Sequence, residues 1–326
     1  MQNSSTLSVD LAGMALRNPV ILAAGTAGYI DDMAGVLDLS RVGAIVTKSI
    51  TASPREGNET WRIIESRAGM LNAIGLANIG IEEFMRSEAP KIGSAKTPVI
   101  GSIAGYSVED YVKVAAAMNT IGAMPAVELN VSCPNVHGGT EFGVDPVALR
   151  EVVGAVRAVL TTKRLLVKLS PIAVGPPGGT IVDVARAAIE GKGVAGGPNK
   201  RPGADGICLA NTVPAMAVDV ETRRPRLANV TGGLSGPAVH PIAVRLVHEV
   251  YRRVAKESGV PIIGIGGVIT WEDAAEFILV GATAVEMGTA LFVDPRLPAK
   301  VVAGLESWVA RQGVRGIGEL VGQVKI

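Results

Sequence analysis

Residues 128–143 read ELNVSCPNVHGGTEFG, and this stretch decides how the rest of the chain is organised. Ala126 to Leu129 is a short apolar run, after which Asn130, Ser132, Cys133 and Asn135 follow closely, with Pro134 between the last two. Proline has no amide proton to give a sheet ladder, so the strand must end at the cysteine. His137-Gly138-Gly139 and Gly143 then supply a loop with the composition of a hinged lid. A cysteine at a strand end beneath such a loop is a candidate acid, base or nucleophile. Most lone cysteines are small buried hydrophobes packed among aliphatic residues, whereas Cys133 has amides and a hydroxyl as neighbours. Asn130-Val131-Ser132 also matches a glycosylation sequon, which is discounted because no secretory signal accompanies it.

The same theme, an apolar run ending in polar or glycine residues, recurs on both sides. Towards the N-terminus lie Asn18 to Ala23, closing at Gly25 and Gly28; Gly43 to Ser49, closing in Thr47-Lys48-Ser49; and Thr97 to Ile103. Towards the C-terminus lie Arg164 to Ser170, carrying Lys168; Gly203 to Ala210, finishing in Asn211-Thr212; Val260 to Gly264, followed by Gly266-Gly267; and Ala282 to Met287, followed by Gly288-Thr289. Helices are predicted between them: Asp31 to Leu39, Ser107 to about Ile121, Asp145-Pro146 to about Thr161, Ile181 to Glu190, Pro237 to about Glu257, Thr270 to about Val280, and a last one from near Asp294-Pro295. Ala243, Leu246, Val247 and Val250 fall on one face of the long helix.

Eight strand and helix units with right-handed crossovers can close on themselves, so the pattern predicts a single (β/α)8 TIM barrel spanning residues 1–326, with loop insertions at its C-terminal face. In that fold the active site sits at the carboxyl ends of the strands. Lys48, Asn130, Cys133, Lys168 and Asn211 all stand at such ends, and closure would bring them to one rim. Ile50 to Asn78 is too long for an ordinary connection, which marks it as functional. The Pro/Gly-rich patches Val174 to Gly179 and Gly191 to Gly203 cannot support a core and are expected to be surface excursions.

Composition narrows the class. Hydrophobic residues make up 48% of the 326 and aromatics only 3%, so the core must be aliphatic, as the interior of a parallel sheet is. A net charge of +1 gives no general attraction for nucleic acid or an anionic membrane, and neither is expected as a partner. The chain lacks a signal-like start and any uncharged apolar stretch approaching the ~18 residues of a membrane span, which predicts a soluble, cytoplasmic protein. Cys133 and Cys208 are the only cysteines. They cannot build a disulfide framework or hold an iron–sulfur cluster, which takes about four thiolates.

Gly266-Gly267 and Gly288-Thr289 follow the seventh and eighth strands, where such barrels commonly hold a phosphate on backbone N–H groups. Gly264-Ile-Gly266-Gly267 lacks the third glycine of a dinucleotide fingerprint and no doubly wound unit surrounds it, so NAD is not expected on this chain.

With these residues placed, nearly the whole chain resembles the FMN-containing catalytic subunits of class 1B dihydroorotate dehydrogenases. The segments that carry the resemblance are Thr47-Lys48-Ser49, Asn72-Ala-Ile-Gly-Leu76, Leu129-Asn-Val-Ser-Cys-Pro-Asn135, Val167-Lys-Leu-Ser170, Asn211-Thr212, Thr231-Gly-Gly-Leu-Ser-Gly236, Gly266-Gly267 and Gly288-Thr289. The cysteine resembles class 1, since the membrane-associated class 2 usually has serine as base. The His-Gly-Gly-Thr-Glu-Phe-Gly continuation is more similar to 1B than to the fumarate-using 1A. The resemblance implies oxidation of dihydroorotate to orotate in pyrimidine biosynthesis, with Cys133 as the general base that takes the C5 proton while hydride passes from C6 to flavin N5. It implies that Lys48, Asn72, Ala73, Ile74, Gly75, Leu76, Asn130, Asn211 and Thr212 hold the substrate. FMN would be held by Ala24, Lys48, Ser49, Ser102, Asn130, Lys168, Ala210, Gly236, Gly266, Gly267, Gly288 and Thr289, with Lys168 at the flavin N1/O2 edge. No metal is implied. Ser102 stands where relatives often carry asparagine, and Ala210 where a larger aliphatic residue is common. The resemblance further implies a homodimeric core joined to a second subunit bearing FAD and a 2Fe-2S cluster, a heterotetramer that passes electrons to NAD.

Four other readings compete. A class 1A enzyme would turn over with fumarate and without the partner. A dihydropyrimidine dehydrogenase-like reductase shares the flavin barrel and the base cysteine, but its uracil substrate lacks the carboxylate that Lys48 and the Asn72 loop suit. A Schiff-base lyase using Lys168 would need no flavin. A non-catalytic phosphate-binding barrel would be indifferent to loss of Cys133 or Lys168.

Overall fold

The computed structural model describes residues 6–132, 142–171 and 179–326. Eight parallel strands close into a barrel: β1 Val20–Leu22, β2 Ala44–Val46, β3 Val99–Ile103, β4 Ala126–Asn130, β5 Arg164–Lys168, β6 Gly206–Leu209, β7 Ile262–Ile265 and β8 Ala282–Met287. Each pairs with its neighbours in chain order, and β8 pairs with β1 to complete the ring. Their side chains are almost entirely buried because helices cover the outside and side chains fill the inside. One hydrophobic cluster, aliphatic in character, runs from Leu7 to Leu320.

The expected helix starts hold. Ser107 accepts a hydrogen bond from the Asp110 amide and Asp145 from that of Val147, so Val108–Asn119 and Pro146–Val159 begin as their caps dictate. Thr180 and Thr270 form reciprocal capping boxes with Asp183 and Asp273 at the heads of Ile181–Glu190 and Trp271–Val280. The long helix is His240–Val250, continued through a π turn at Tyr251–Ala255 into Lys256–Ser258. The last is Leu297–Gln312.

Two expectations are corrected. The segment Asp31 to Leu39 is a series of turns with a short 3-10 helix at Leu39–Arg41. Asp32 takes the Tyr29 amide on its side chain, and the amides of Ala34 and Val36 bond three residues back, so the backbone satisfies itself locally. The connection Ile50 to Asn78 is not simply a loop. It contains a hairpin, Ile63–Ser66 with Gly69–Asn72, which joins Thr231–Ser235 and Val213–Met216 in a four-stranded antiparallel sheet. This sheet has a small core of its own at Leu71, Ala73 and Leu227. It is assembled from the connections that leave β2 and β6 at their carboxyl ends. Sequence reading also passed over the helical segment from Gly80 to Ser94 and an N-terminal hairpin, Val9–Leu11 with Met14–Leu16. The patch Gly191 to Gly203 lies mostly at the surface, whereas Val174 to Gly179 falls outside the described residues save for Gly179.

Candidate active site

Register along the barrel places the chemistry. Asn130 at the end of β4 stands opposite Lys168 at the end of β5, and Lys168 stands opposite Cys208 on β6. From there a continuous hydrogen-bonded chain crosses the rim. Asn211 donates to the side-chain oxygen of Asn130 at 3.2 Å and to the Ser132 hydroxyl at 3.0 Å. Asn130 donates to Ser49 Oγ at 3.5 Å, and Ser49 shares a 2.8 Å hydrogen bond with Ser102. Ser102 in turn donates to Glu128 at 3.3 Å. The Tyr111 hydroxyl fixes the backbone carbonyl of Asn130 from the helix behind. Ser49, Ser102, Asn130, Lys168 and Asn211, drawn from the ends of five strands, thus meet as the closed barrel requires. Cys133 lies outside the described residues; the Ser132 hydroxyl immediately before it is held by Asn211.

Lys168 is buried between two carboxylates. Its Nζ is 3.1 Å from Glu286 and 3.6 Å from Glu128. Burial pushes the ammonium towards losing its proton, but the charges of Glu128 and Glu286 outweigh it and hold Lys168 above the ordinary lysine range. Burial, reinforced by the charge of Glu128 and opposed by that of Lys168, pushes Glu286 up to about 8. Cys208 is enclosed beside them, and burial followed by the same two carboxylates raises its thiol well above the usual value, so it is not a nucleophile at neutral pH. Glu128 and Glu286 were missed in the sequence. Each reads there as one polar residue in an apolar strand, and only closure puts them on either side of a lysine.

Lys48 is half-buried, with its backbone amide on the Gly28 carbonyl at 2.9 Å. Partial burial and the neighbouring charge of Arg62 lower its pKa, against the opposing pull of Asp32. Two cations set near each other favour an anionic occupant. Arg62 is a third residue that the sequence did not single out; it is held by the carbonyls of Glu56 and Asn58.

The segment Asn72 to Leu76 is clamped from outside. Asn58 donates from its side chain to the Ala73 carbonyl and from its backbone to that of Ile74, while Arg55 reaches the Gly75 carbonyl. Gly75 and Leu76 both take positive φ, +74° and +57°, which turns the chain sharply. The amides of Ile74, Gly75 and Leu76 donate to no acceptor among the described residues. Asn72 donates to the Gly233 carbonyl, and a Cβ on Gly233 would lie 1.9 Å from the Thr212 hydroxyl. The four-stranded sheet therefore sets Asn72 and Thr212 on either side of one glycine.

A second cluster gathers where the loops after β7 and β8 meet Gly236. A Cβ on Gly267 would fall 2.7 Å from the Gly236 carbonyl oxygen, and one on Gly236 would fall 3.4 Å from the Thr289 methyl. Thr289 donates to Ser235 at 2.8 Å. Gly288 faces Ala23, the neighbour of the half-buried Ala24. Ala210 is buried and gives its amide to the Ile265 carbonyl. The N–H groups of Gly236, Gly266, Gly267, Gly288 and Thr289 donate to no acceptor among the described residues. Unpaired donors on three segments that pack together at the head of the helical run from Pro237 could hold an anion such as a phosphate. His240, also unforeseen, braces this cluster by bonding the Gly266 carbonyl at 2.9 Å and Glu276 at 3.1 Å.

No helix among the described residues is long and apolar enough to cross a membrane. The family model for dihydroorotate dehydrogenase matches residues 6–309. Among curated proteins the chain is 45% identical over 320 residues to the catalytic subunit of dihydroorotate dehydrogenase B (NAD(+)) from Trichlorobacter lovleyi, covering 98% of both chains. It is 45% identical over 321 residues to the protein of that name from Geotalea daltonii, again covering 98% of each. The similarity to the one from Bacteroides fragilis is 42% over 321 residues, 98% of this chain and 99% of that one.

Proposed function

The chain belongs to the dihydroorotate dehydrogenase family, and on that premise we propose that it oxidises dihydroorotate to orotate in pyrimidine biosynthesis as an NAD-linked, class 1B catalytic subunit. The observation that carries this reading is the set of unpaired backbone donors at Gly236, Gly266, Gly267, Gly288 and Thr289, placed on the same barrel face as the Lys168 cluster. That donor set suits the phosphate of FMN, and the close packing around Gly236 and Gly267 leaves no room for side chains there. Ala24, Lys48, Ser49, Ser102, Asn130, Lys168 and Ala210 complete the flavin site. Bound FMN would supply the acceptor for the hydride that leaves C6 of the substrate.

The protein's own residues do the rest. Lys168 keeps a positive charge where negative charge develops, and its buried carboxylate partners hold it protonated for that task. Lys48 meets the substrate carboxylate, and the free amides of Ile74, Gly75 and Leu76 offer donors to it or to the ring carbonyls. Asn72, Ala73, Asn130, Asn211 and Thr212 fix the pyrimidine plane. The rim network matters because it leaves these amides one orientation each, so the substrate meets a preorganised surface. Cys133 removes the C5 proton, and as the thiolate is the active form, turnover rises with pH towards about 8.5. Electrons then leave through a partner subunit carrying FAD and a 2Fe-2S cluster, within a heterotetramer built on a homodimer of this single-domain chain in the cytoplasm.

Purification of the full chain tests the assignment. It should be yellow, release FMN on denaturation, and lose its flavin absorbance under anaerobic dihydroorotate faster than under dihydrouracil. Colourless protein, or a preference for dihydrouracil, would overturn the reading. Turnover with fumarate by the isolated chain would remove the NAD-linked part alone.

A further inference from the structure

Glu128 and Glu286 lie behind the binding surface described above, bonded to it through Ser102 and Lys168, and both are enclosed, at 0% and 1% exposure. A carboxylate oxygen of each and the Cys208 sulfur lie within 4.8 Å of one another, with the Lys168 ammonium beside them. The Ser102 hydroxyl faces the group from β3. β1, β2 and β7 contribute only aliphatic side chains and a glycine, so no further charge reaches the cluster from those strands. One ammonium against two ionised carboxylates would leave a net negative charge buried in the barrel, which is a costly state. Glu128 Oε2 and Glu286 Oε1 also lack any hydrogen-bond partner among the described residues. A proton on the pair removes the excess charge and supplies a missing donor.

We propose that Glu128 and Glu286 are positioning residues that share one proton at neutral pH, hold the Lys168 ammonium between them, and through it set the reduction potential of the flavin. The shared proton stands on the cluster alone; its effect on the potential rests on the flavin reading above. The elevated pKa of Glu286, about 8, agrees with a proton retained at pH 7. As pH rises past that value the proton leaves to water and no electron moves. Lys168 is then faced by two carboxylates, its charge is over-compensated, and a flavin beside it becomes harder to reduce.

Infrared spectra of the full chain as purified, at stepped pH, should show the carbonyl stretch of a buried protonated carboxyl group that fades as pH rises through about 8. Glu286→Gln should erase it by removing the carboxyl that carries the proton, and Glu128→Gln by removing the neighbouring negative charge that favours it. Spectroelectrochemical titration of the bound FMN should show a potential falling more steeply above that pH in the wild type, by up to about 30 mV per pH unit for one proton against two electrons, and neither glutamine variant should show this. Absence of the band in the wild type at pH 7 overturns the shared proton, and needs no variant to fold. A steepening that persists in both variants overturns the link to the flavin. A chain without flavin would sink the assignment of function instead, and the infrared result would still decide the proton.

Discussion

The barrel buries charge at both ends, and the two ends are built differently. At the N-terminal end Arg157, from the last turns of Pro146–Val159, pairs with Asp205 at 2.9 Å and also donates to the carbonyls of Leu160 and Lys163. Asp205 takes the Leu165 amide with the same oxygen. Within this pair one guanidinium meets one carboxylate, and both tie the start of β5 to the start of β6, while the buried Lys163 beside them gives its ammonium to the Ile121 carbonyl. At the C-terminal end the count is two carboxylates to one ammonium, and the surplus lies under the rim where Ser49, Ser102, Asn130 and Asn211 meet. A balanced pair has nothing left to do but hold the fold, whereas an unbalanced cluster can gain or lose a proton. The contrast follows the division of labour in this architecture, stability below and chemistry above.

Substitutions can break or sharpen that contrast. The largest effect should come from the upper end: Cys133→Ala should lower dihydroorotate oxidation about 10²–10⁴-fold while thermal unfolding stays where it was, as stopped-flow and calorimetry would read. At the lower end Arg157→Met, which strands Asp205, should cost about 3–5 kcal/mol of stability by denaturant titration, with kcat of the folded fraction unchanged. A fall in kcat there would erase the distinction between the ends. Gly267→Ala should cost about 1–3 kcal/mol, because φ is +69° and the new Cβ meets the Gly236 carbonyl; FMN affinity, followed by flavin fluorescence, should fall with it.

Taken one pH unit at a time, the smallest effect is a slope. The folded pKa of Glu286 lies above its unfolded value, so between 4.5 and about 8 the native state binds more protons than the unfolded chain. Its contribution to stability is complete below that window and is lost as pH rises through it, by at most about 1.4 kcal/mol per pH unit. Glu286→Gln should flatten the stability profile in that range, and an unchanged profile would show that the surplus carboxylate is not what titrates.

Much of this was legible in the sequence because barrel strands announce themselves. Apolar runs such as Ala44-Ile45-Val46 end in polar residues, and helix starts such as Thr270 and Asp145 carry their caps in local chemistry. The turns at 31–36 were misread because Asp31, Asp32 and Met33 look helical until the Asp32 side chain captures the Tyr29 amide. The hairpin at 63–72 was invisible because its inner strand, Gly69–Asn72, is completed by Thr231–Ser235 far along the chain rather than marked by its own periodicity. Lys168 could be singled out from its place at a strand end. Its partners could not, since Glu286 lies 118 residues away and only ring closure makes them neighbours.

The four-stranded sheet has a kinetic corollary. Asn72 bonds to Gly233 across 161 residues of chain, so this pairing must wait until the connections after β2 and β6 have been carried to the same side of a largely closed ring. The surface proposed to hold the pyrimidine should therefore form late in folding, after most of the barrel strands are in place.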